Sequence, residues 1–163
     1  MKKITIMPAP LRKILSETTL SRLPLTPPLL VDIGETVEDI IHKMNETSLG
    51  CVLILKDKKL AGIFTERDLV HRVIDENIDL QTPIGNIMNS PVTTLSPEKS
   101  IAQTICMMVE KGYRHIPLMN KEGEILGLVR SRDIINYFAE HFPYEVYNQP
   151  PDPTLIPQTP EGA

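Results

Sequence analysis

The chain has 163 residues, with 17 basic and 21 acidic side chains and a formal charge of −4. That length supports one domain or two small subdomains without disulfide or metal staples, and the acid excess argues against nucleic acid as the main partner, because phosphate backbones are held by basic surfaces. Hydrophobic residues make up 41% and aromatic residues only 4%, with no Trp, so the core must rest on Ile, Leu, Val and Met.

The basic start Met1-Lys2-Lys3 is followed by Pro8 and Pro10 before any apolar run of the kind a secretory signal needs. No stretch reaches the length of about 18 apolar residues that spans a bilayer. The expectation is a cytoplasmic chain that does not enter a membrane. Within residues 1–23, Leu11 to Leu15 predict a short helix. Pro28 to Val31 read as extended, and Val37, Ile40, Ile41 and Met44 fall on one helical face. Cys51 to Leu55 and Leu60 to Phe64 are short apolar runs around the polar turn Lys56-Asp57-Lys58-Lys59, a hairpin pattern. Thr65 opens a helix, with Leu69, Val70, Val73 and Ile74 as its buried stripe.

Val92 to Leu95 are again extended, and a helix begins near Ser100. Strands follow at Ile116 to Met119 and Ile125 to Val129 around Asn120-Lys121-Glu122-Gly123, and a closing helix carries Ile134, Ile135 and Phe138. After Phe142 the composition shifts to Pro143, Pro150, Pro151, Pro153, Pro157 and Pro160 with no Lys or Arg, which predicts an extended tail over 143–163. Cys51 and Cys106 have neither metal-ligand spacing nor a disulfide framework. They read as free, buried structural thiols in a reducing compartment.

The two halves repeat. Gly62-Ile63-Phe64-Thr65-Glu66-Arg67-Asp68 returns as Gly127-Leu128-Val129-Arg130-Ser131-Arg132-Asp133, and Leu53 matches Leu118 at the same spacing. Val37, Ile41 and Met44 match Ile101, Ile105 and Met108 with one residue less, so an insertion near Gly112 lengthens the second copy. The fold expected is α/β (α+β): two β-α-β-β-α units at 24–80 and 81–142, packed sheet to sheet with pseudo-twofold symmetry. A single copy of this size buries too little to be stable alone.

Thr65-Glu66-Arg67-Asp68 stands between strand and helix. One reading is a capping box, with the Thr hydroxyl accepting from the backbone and the Asp reaching back. The other is a ribose-phosphate site, where a helix N-terminus attracts phosphate and a carboxylate takes the vicinal hydroxyls of a ribose.

With these residues in view, the chain resembles a tandem pair of cystathionine-β-synthase (CBS) domains, the Bateman module. The resemblance rests on Gly62 to Asp68 (Gly-apolar-apolar-Thr/Ser-x-x-Asp), on Gly112-Tyr113-Arg114-His115-Ile116-Pro117-Leu118, and on Pro91-Val92-Thr93-Thr94-Leu95-Ser96-Pro97. It covers residues 24–141. It implies clefts for an adenosine compound such as AMP, ADP, ATP or S-adenosylmethionine, each built from both repeats, with no required cofactor.

Carried over, the first cleft has Asp68 on the ribose diol and Thr65 on a phosphate or ribose oxygen. Arg114 and His115 neutralise phosphate, and Val92, Thr93 and Thr94 with Ile63, Ile116 and Pro117 enclose the adenine. For His115 the plainer reading is a strand-end cap. The second cleft would use Asp133 with Leu29, Leu30 and residues 48–52, but Arg130 stands where Thr or Ser is expected. Arg130 either grips a phosphate or fills the cleft. Arg67 and Arg132 read as surface residues or as facing a partner module.

No phosphate loop, nucleophile elbow or metal-ligand cluster is present in the sequence. The expectation is a non-enzymatic regulatory module that forms a homodimer and acts on an effector in trans. The alternative is a ligand-free dimerisation scaffold.

Overall fold

The computed structural model of the protein describes residues 9–142. The expected proline-rich tail over 143–163 lies outside the described residues. The elements, in chain order, are α1 (Ala9–Glu17), β1 (Leu30–Asp32), α2 (Val37–Thr47), β2 (Cys51–Lys56), β3 (Lys59–Thr65), α3 (Glu66–Asp68), α4 (Ile101–Lys111), β4 (His115–Met119), β5 (Ile125–Arg130) and α5 (Ser131–His141). Short 3-10 turns occupy Leu20–Arg22 and Ile84–Asn86. The architecture is the mixed α/β pair expected: one sheet of order β1-β2-β3 and a second of β4-β5.

The repeat is visible in the local chemistry. Thr36 caps α2 by accepting from the Asp39 amide at 3.2 Å, and Ser100 caps α4 by accepting from the Gln103 amide at 3.2 Å. The side chains of Asp39 and Gln103 each return the bond to the cap residue's own amide, also at 3.2 Å. Such reciprocal caps satisfy donors that the first helical turn leaves open. Both helices end on a left-handed residue, Ser48 and Gly112.

Leu30 pairs with Leu53 in parallel, and Leu95 pairs with Leu118 in parallel. The second of these is an isolated bridge, so the expected lead-in extension over Val92 to Leu95 forms no strand.

Each repeat lends its lead-in to the other. Thr26 pairs with Leu128 in β5, exchanging N–H···O bonds of 3.3 and 2.9 Å. Asn89 pairs with Ile63 in β3 through bonds of 3.1 and 2.9 Å. The cores follow the same exchange. Leu15, Leu20 and Leu23 bury with Ile101, Met108, Ile116, Leu118, Val129 and Ile134 of the second repeat. Ile84 and Ile87 bury with Val31, Val37, Ile40, Val52, Ile54 and Phe64 of the first. Each such aliphatic side chain contributes roughly 1.5–3 kcal/mol when fully buried. Between the sheets, Cys51 and Leu53 of β2 meet Leu128 of β5, which closes the sheet-to-sheet contact.

Three side-chain expectations are corrected. After α3 the chain makes a π-helical turn over Leu69–Ile74, with the Asp75 and Ile78 amides bonding to the carbonyls of Val70 and Val73, five residues back. The wider turn changes the phase of the stripe. Val73 is buried, whereas Val70 and Ile74 stand 47% and 65% exposed. On α5, Ile134 is buried but Ile135 faces outward. Cys51 is buried as expected, but Cys106 is exposed.

Candidate functional site

Thr65 ends β3 and its side chain turns onto the start of α3. Its hydroxyl donates to Asp68 Oδ2 at 2.6 Å and accepts from the Asp68 amide at 3.3 Å, while its own amide donates to the same carboxylate oxygen at 2.9 Å. The capping box read from the sequence is therefore formed. The Glu66 amide is also taken, by the Gly50 carbonyl at 3.1 Å. Asp68 Oδ1 takes no part in the cap and has Arg72 Nε 3.8 Å away. It can accept further hydrogen bonds.

Arg72 is a strut. Its Nη1 donates to the Ile87 carbonyl at 2.9 Å and its Nη2 to Asn89 Oδ1 at 2.6 Å. One guanidinium thus joins the neighbourhood of Asp68 to the lead-in of the second repeat.

A cavity of about 520 Å3 opens at this junction, a size that suits a small-molecule ligand. The first repeat supplies Gly50, Ile63, Thr65, Glu66, Arg67, Asp68 and Val70. The lead-in supplies Asn89, Pro91, Val92 and Thr93, and the second repeat supplies Lys111, Gly112, Tyr113, Arg114, His115 and Pro117. The cavity thus brings together Ile63, Thr65, Asp68, Val92, Thr93, Arg114, His115 and Pro117 from the sequence reading. Thr94 is not among the lining residues, and Ile116 is fully buried in the second core. In a strand, successive side chains point to opposite faces, and Ile116 takes the core face. Glu66, Arg67, Lys111 and Tyr113 join this cleft beyond the residues the sequence assigns to it, Arg67 in place of a surface or partner-facing position. Their signal is position, because they flank the motif and the Arg114-His115 segment.

Burial holds the His115 imidazole below its ordinary value, with Glu66 opposing and Arg130 and Arg114 assisting. Burial also pushes the Cys51 thiol up to about 12, which leaves it protonated and inert at neutral pH.

The second cleft is built differently. Arg130 Nη2 donates to Asp133 Oδ1 at 2.7 Å, and Arg130 Nε lies 3.1 Å from both carboxylate oxygens. The Arg130 amide donates to Oδ2 at 2.9 Å, and Thr26 Oγ1 lies 3.5 Å from the same oxygen. Asp133 is buried with both oxygens engaged. Arg130 and Asp133 are thus paired with each other, and neither residue lines the cavity at Asp68.

Among the described residues no group of His, Cys, Asp or Glu has the arrangement of a metal site. No described helix is long and apolar enough to cross a membrane.

The family profile of the CBS domain matches residues 13–75 and 84–140. An uncharacterised protein of Methanopyrus kandleri is 35% identical over 103 residues, which is 62% of this chain and 53% of that protein. The chain thus spans about half the length of that relative. A CBS-domain protein of Burkholderia ambifaria superposes with a TM-score of 0.70 at 26% identity, covering 77% of this chain and 96% of that one. A CBS domain protein of Pyrobaculum aerophilum, solved with AMP, gives a TM-score of 0.66 at 23% identity over 76% of this chain and 99% of the other. Two matched copies, two reciprocal lead-ins and paired sheets agree: the chain belongs to the CBS-domain family.

Proposed function

We propose that this chain is an adenosine-nucleotide-binding regulatory module whose ligand sits between the two repeats. The observation that carries the reading is that Asp68 of the first repeat and Arg114 of the second line one cavity. Asp68 Oδ1 takes the ribose diol, Thr65 fixes the carboxylate through Oδ2, and Arg114 meets phosphate in charge-assisted contact. Val92 and Thr93 with Ile63 and Pro117 enclose the base. That the related Pyrobaculum protein is complexed with AMP supports the same ligand class.

A ligand touching both repeats favours one relative arrangement of them, and that differential affinity is the signal passed to an effector in trans. The reading includes a cytoplasmic homodimer, supported by the outward apolar side chains Ile74, Val109 and Ile135. It assigns no reaction to the chain. The Arg130–Asp133 pair supports a narrower second reading, in which the other cleft serves as scaffold alone.

The test is thermal denaturation with AMP, ADP, ATP and S-adenosylmethionine, each variant compared with its own ligand-free form. A ligand at 100 times its dissociation constant adds about 2.7 kcal/mol of stability. Wild type and Asp133→Ala shift, and Asp68→Ala loses most of the shift. No shift in wild type with any of the four leaves the scaffold reading. Light scattering reads the dimer.

A further inference from the structure

We infer that the cavity between the repeats is charged for a nucleoside polyphosphate, a di- or triphosphate rather than a monophosphate or a sulfonium compound. This deepens the reading above and rests on it.

Arg67, Lys111 and Arg114 all line the cavity. Among the described residues none of the three charged side-chain groups makes a hydrogen bond or a carboxylate ion pair, in contrast to Arg72 and Arg130, whose guanidinium groups are engaged. They come from both sides of the repeat interface. Arg67 Nη1 lies 3.9 Å from where a Cβ on Gly112 would stand, beside Lys111 and two residues before Arg114.

Two carboxylates and an imidazole also line the cavity, and Asp68 Oδ1 stays outside the cap. Asp68 Oδ2 is held by Thr65. Glu66 lies against Gly50, as does the His115 ring. Burial holds His115 toward its neutral form, so the permanent positive charge is that of the two arginines and the lysine.

The fold does not require these cations. The stretch of the first repeat that corresponds to Lys111 to His115 is Thr47-Ser48-Leu49-Gly50-Cys51, with no basic residue, and only Arg67 has a counterpart, Arg132. Clustered like charges repel, and the repulsion is relieved by a ligand that offers one anionic group to each. A single phosphate serves Arg114 and leaves Arg67 and Lys111 unmatched. A β- and γ-phosphate match them. S-adenosylmethionine brings a sulfonium cation toward a cationic mouth.

The experiment is calorimetric titration of the full chain, in EDTA, with adenosine, AMP, ADP, ATP and S-adenosylmethionine, and with inorganic tripolyphosphate as the base-free probe. Affinity rises with each phosphate, and ATP binds about tenfold tighter than AMP, the sum of two partly exposed ion pairs. Arg67→Ala and Lys111→Ala each weaken ATP about three- to fivefold and leave adenosine unchanged. Added salt weakens ATP more than AMP. AMP binding as tightly as ATP, S-adenosylmethionine binding more tightly than ATP, or equal losses for ATP and adenosine in the two variants overturns the inference while the adenosine reading stands. If no adenosine compound binds, that reading falls. Tripolyphosphate binding that the Arg67→Ala/Lys111→Ala double variant abolishes then retains the polyphosphate site, and its absence removes it.

Discussion

Arg130 folds back over the first turn of α5 and closes a two-pronged contact on Asp133, whereas at the matching place in the first repeat Thr65 holds only one oxygen of Asp68. The repeat symmetry is therefore broken at this position of the motif. The Asp133 carboxylate is satisfied from within, and the Asp68 carboxylate keeps one oxygen outside its cap. One ligand per chain is the expected calorimetric stoichiometry. Arg130→Ala leaves a buried carboxylate short of its partner and costs about 1–3 kcal/mol in urea denaturation. A loss within error of zero would show that backbone and Thr26 contacts suffice.

Arg72 ties the lead-in at Ile87 and Asn89 to the first repeat. Arg72→Gln removes both donors, so the Asn89–Ile63 amide pair should exchange hydrogen faster by about tenfold in the ligand-free protein. Amides in the middle of β2 serve as the internal control and keep their rates. Unchanged exchange at Asn89 and Ile63 would mean that the backbone bridge holds without the strut.

Gly62 and Gly127 occupy matching places in the repeated motif, and each lies against the lead-in of the other repeat. A Cβ on Gly127 would stand 2.8 Å from Leu25 Cβ, next to the backbone, and one on Gly62 would meet the Met88 side chain, with Met88 Cβ at 3.0 Å. Methionine has the freedom to swing aside, and a leucine Cβ does not. Gly127→Ala should cost about 1–3 kcal/mol and Gly62→Ala less. Equal thermal denaturation midpoints for the two variants would contradict the packing argument.

The His115 imidazole is held below its ordinary value of 6.5 by burial. The unfolded chain then takes up a proton at a pH where the folded chain does not. The linkage sign follows: stability is fully retained above the unfolded value, starts to fall as the pH drops through about 6.5, and reaches its full loss below the folded value. His115→Asn should flatten the stability–pH curve below 6.5 and leave it unchanged above. A phosphate placed beside the ring favours the protonated form, so ligand binding near pH 6 should take up protons, read as a buffer-dependent heat. A wild-type curve flat from pH 7 to 5 would count against this placement of His115.

Leu128 packs against Cys51 and Leu53 of the opposite sheet, so Leu128→Ala opens a cavity at the sheet-to-sheet contact. The expected loss is about 2–5 kcal/mol, measured by urea denaturation. A loss under 1 kcal/mol would mean that the sheets close over the gap.

Much of this fold is legible in local pattern. The helical spacing of Val37, Ile40 and Met44, the apolar runs of β2 and β3, and the Thr65 capping box are short-range signals, and each forms where the pattern places it. The pairing of Asp68 with Arg114 and His115 came from the doubled motif and the family resemblance, since 46 residues of chain separate Asp68 from Arg114. What escaped is non-local or a matter of phase. The π turn after α3 moves Val70 and Ile74 outward without changing composition. The exchange of Thr26 and Asn89 depends on which sheet edge is free, and no single-repeat pattern encodes that. The extra residue of the second copy, expected near Gly112, instead lies in the β4–β5 turn: Thr47 to Cys51 and Lys111 to His115 are equally long, whereas Leu55 pairs with Leu60 and Met119 with Ile125.

The swapped lead-ins carry a consequence for how the polypeptide can be cut. Leu15 to Leu23 wedge into the second body and Ile84 to Ile87 into the first, so a break in the 75–80 connection severs the covalent thread but not the mutual clasp. Each fragment holds the piece its counterpart lacks. Expressed apart, the two should be insoluble; produced together, they should co-purify as a non-covalent heterodimer.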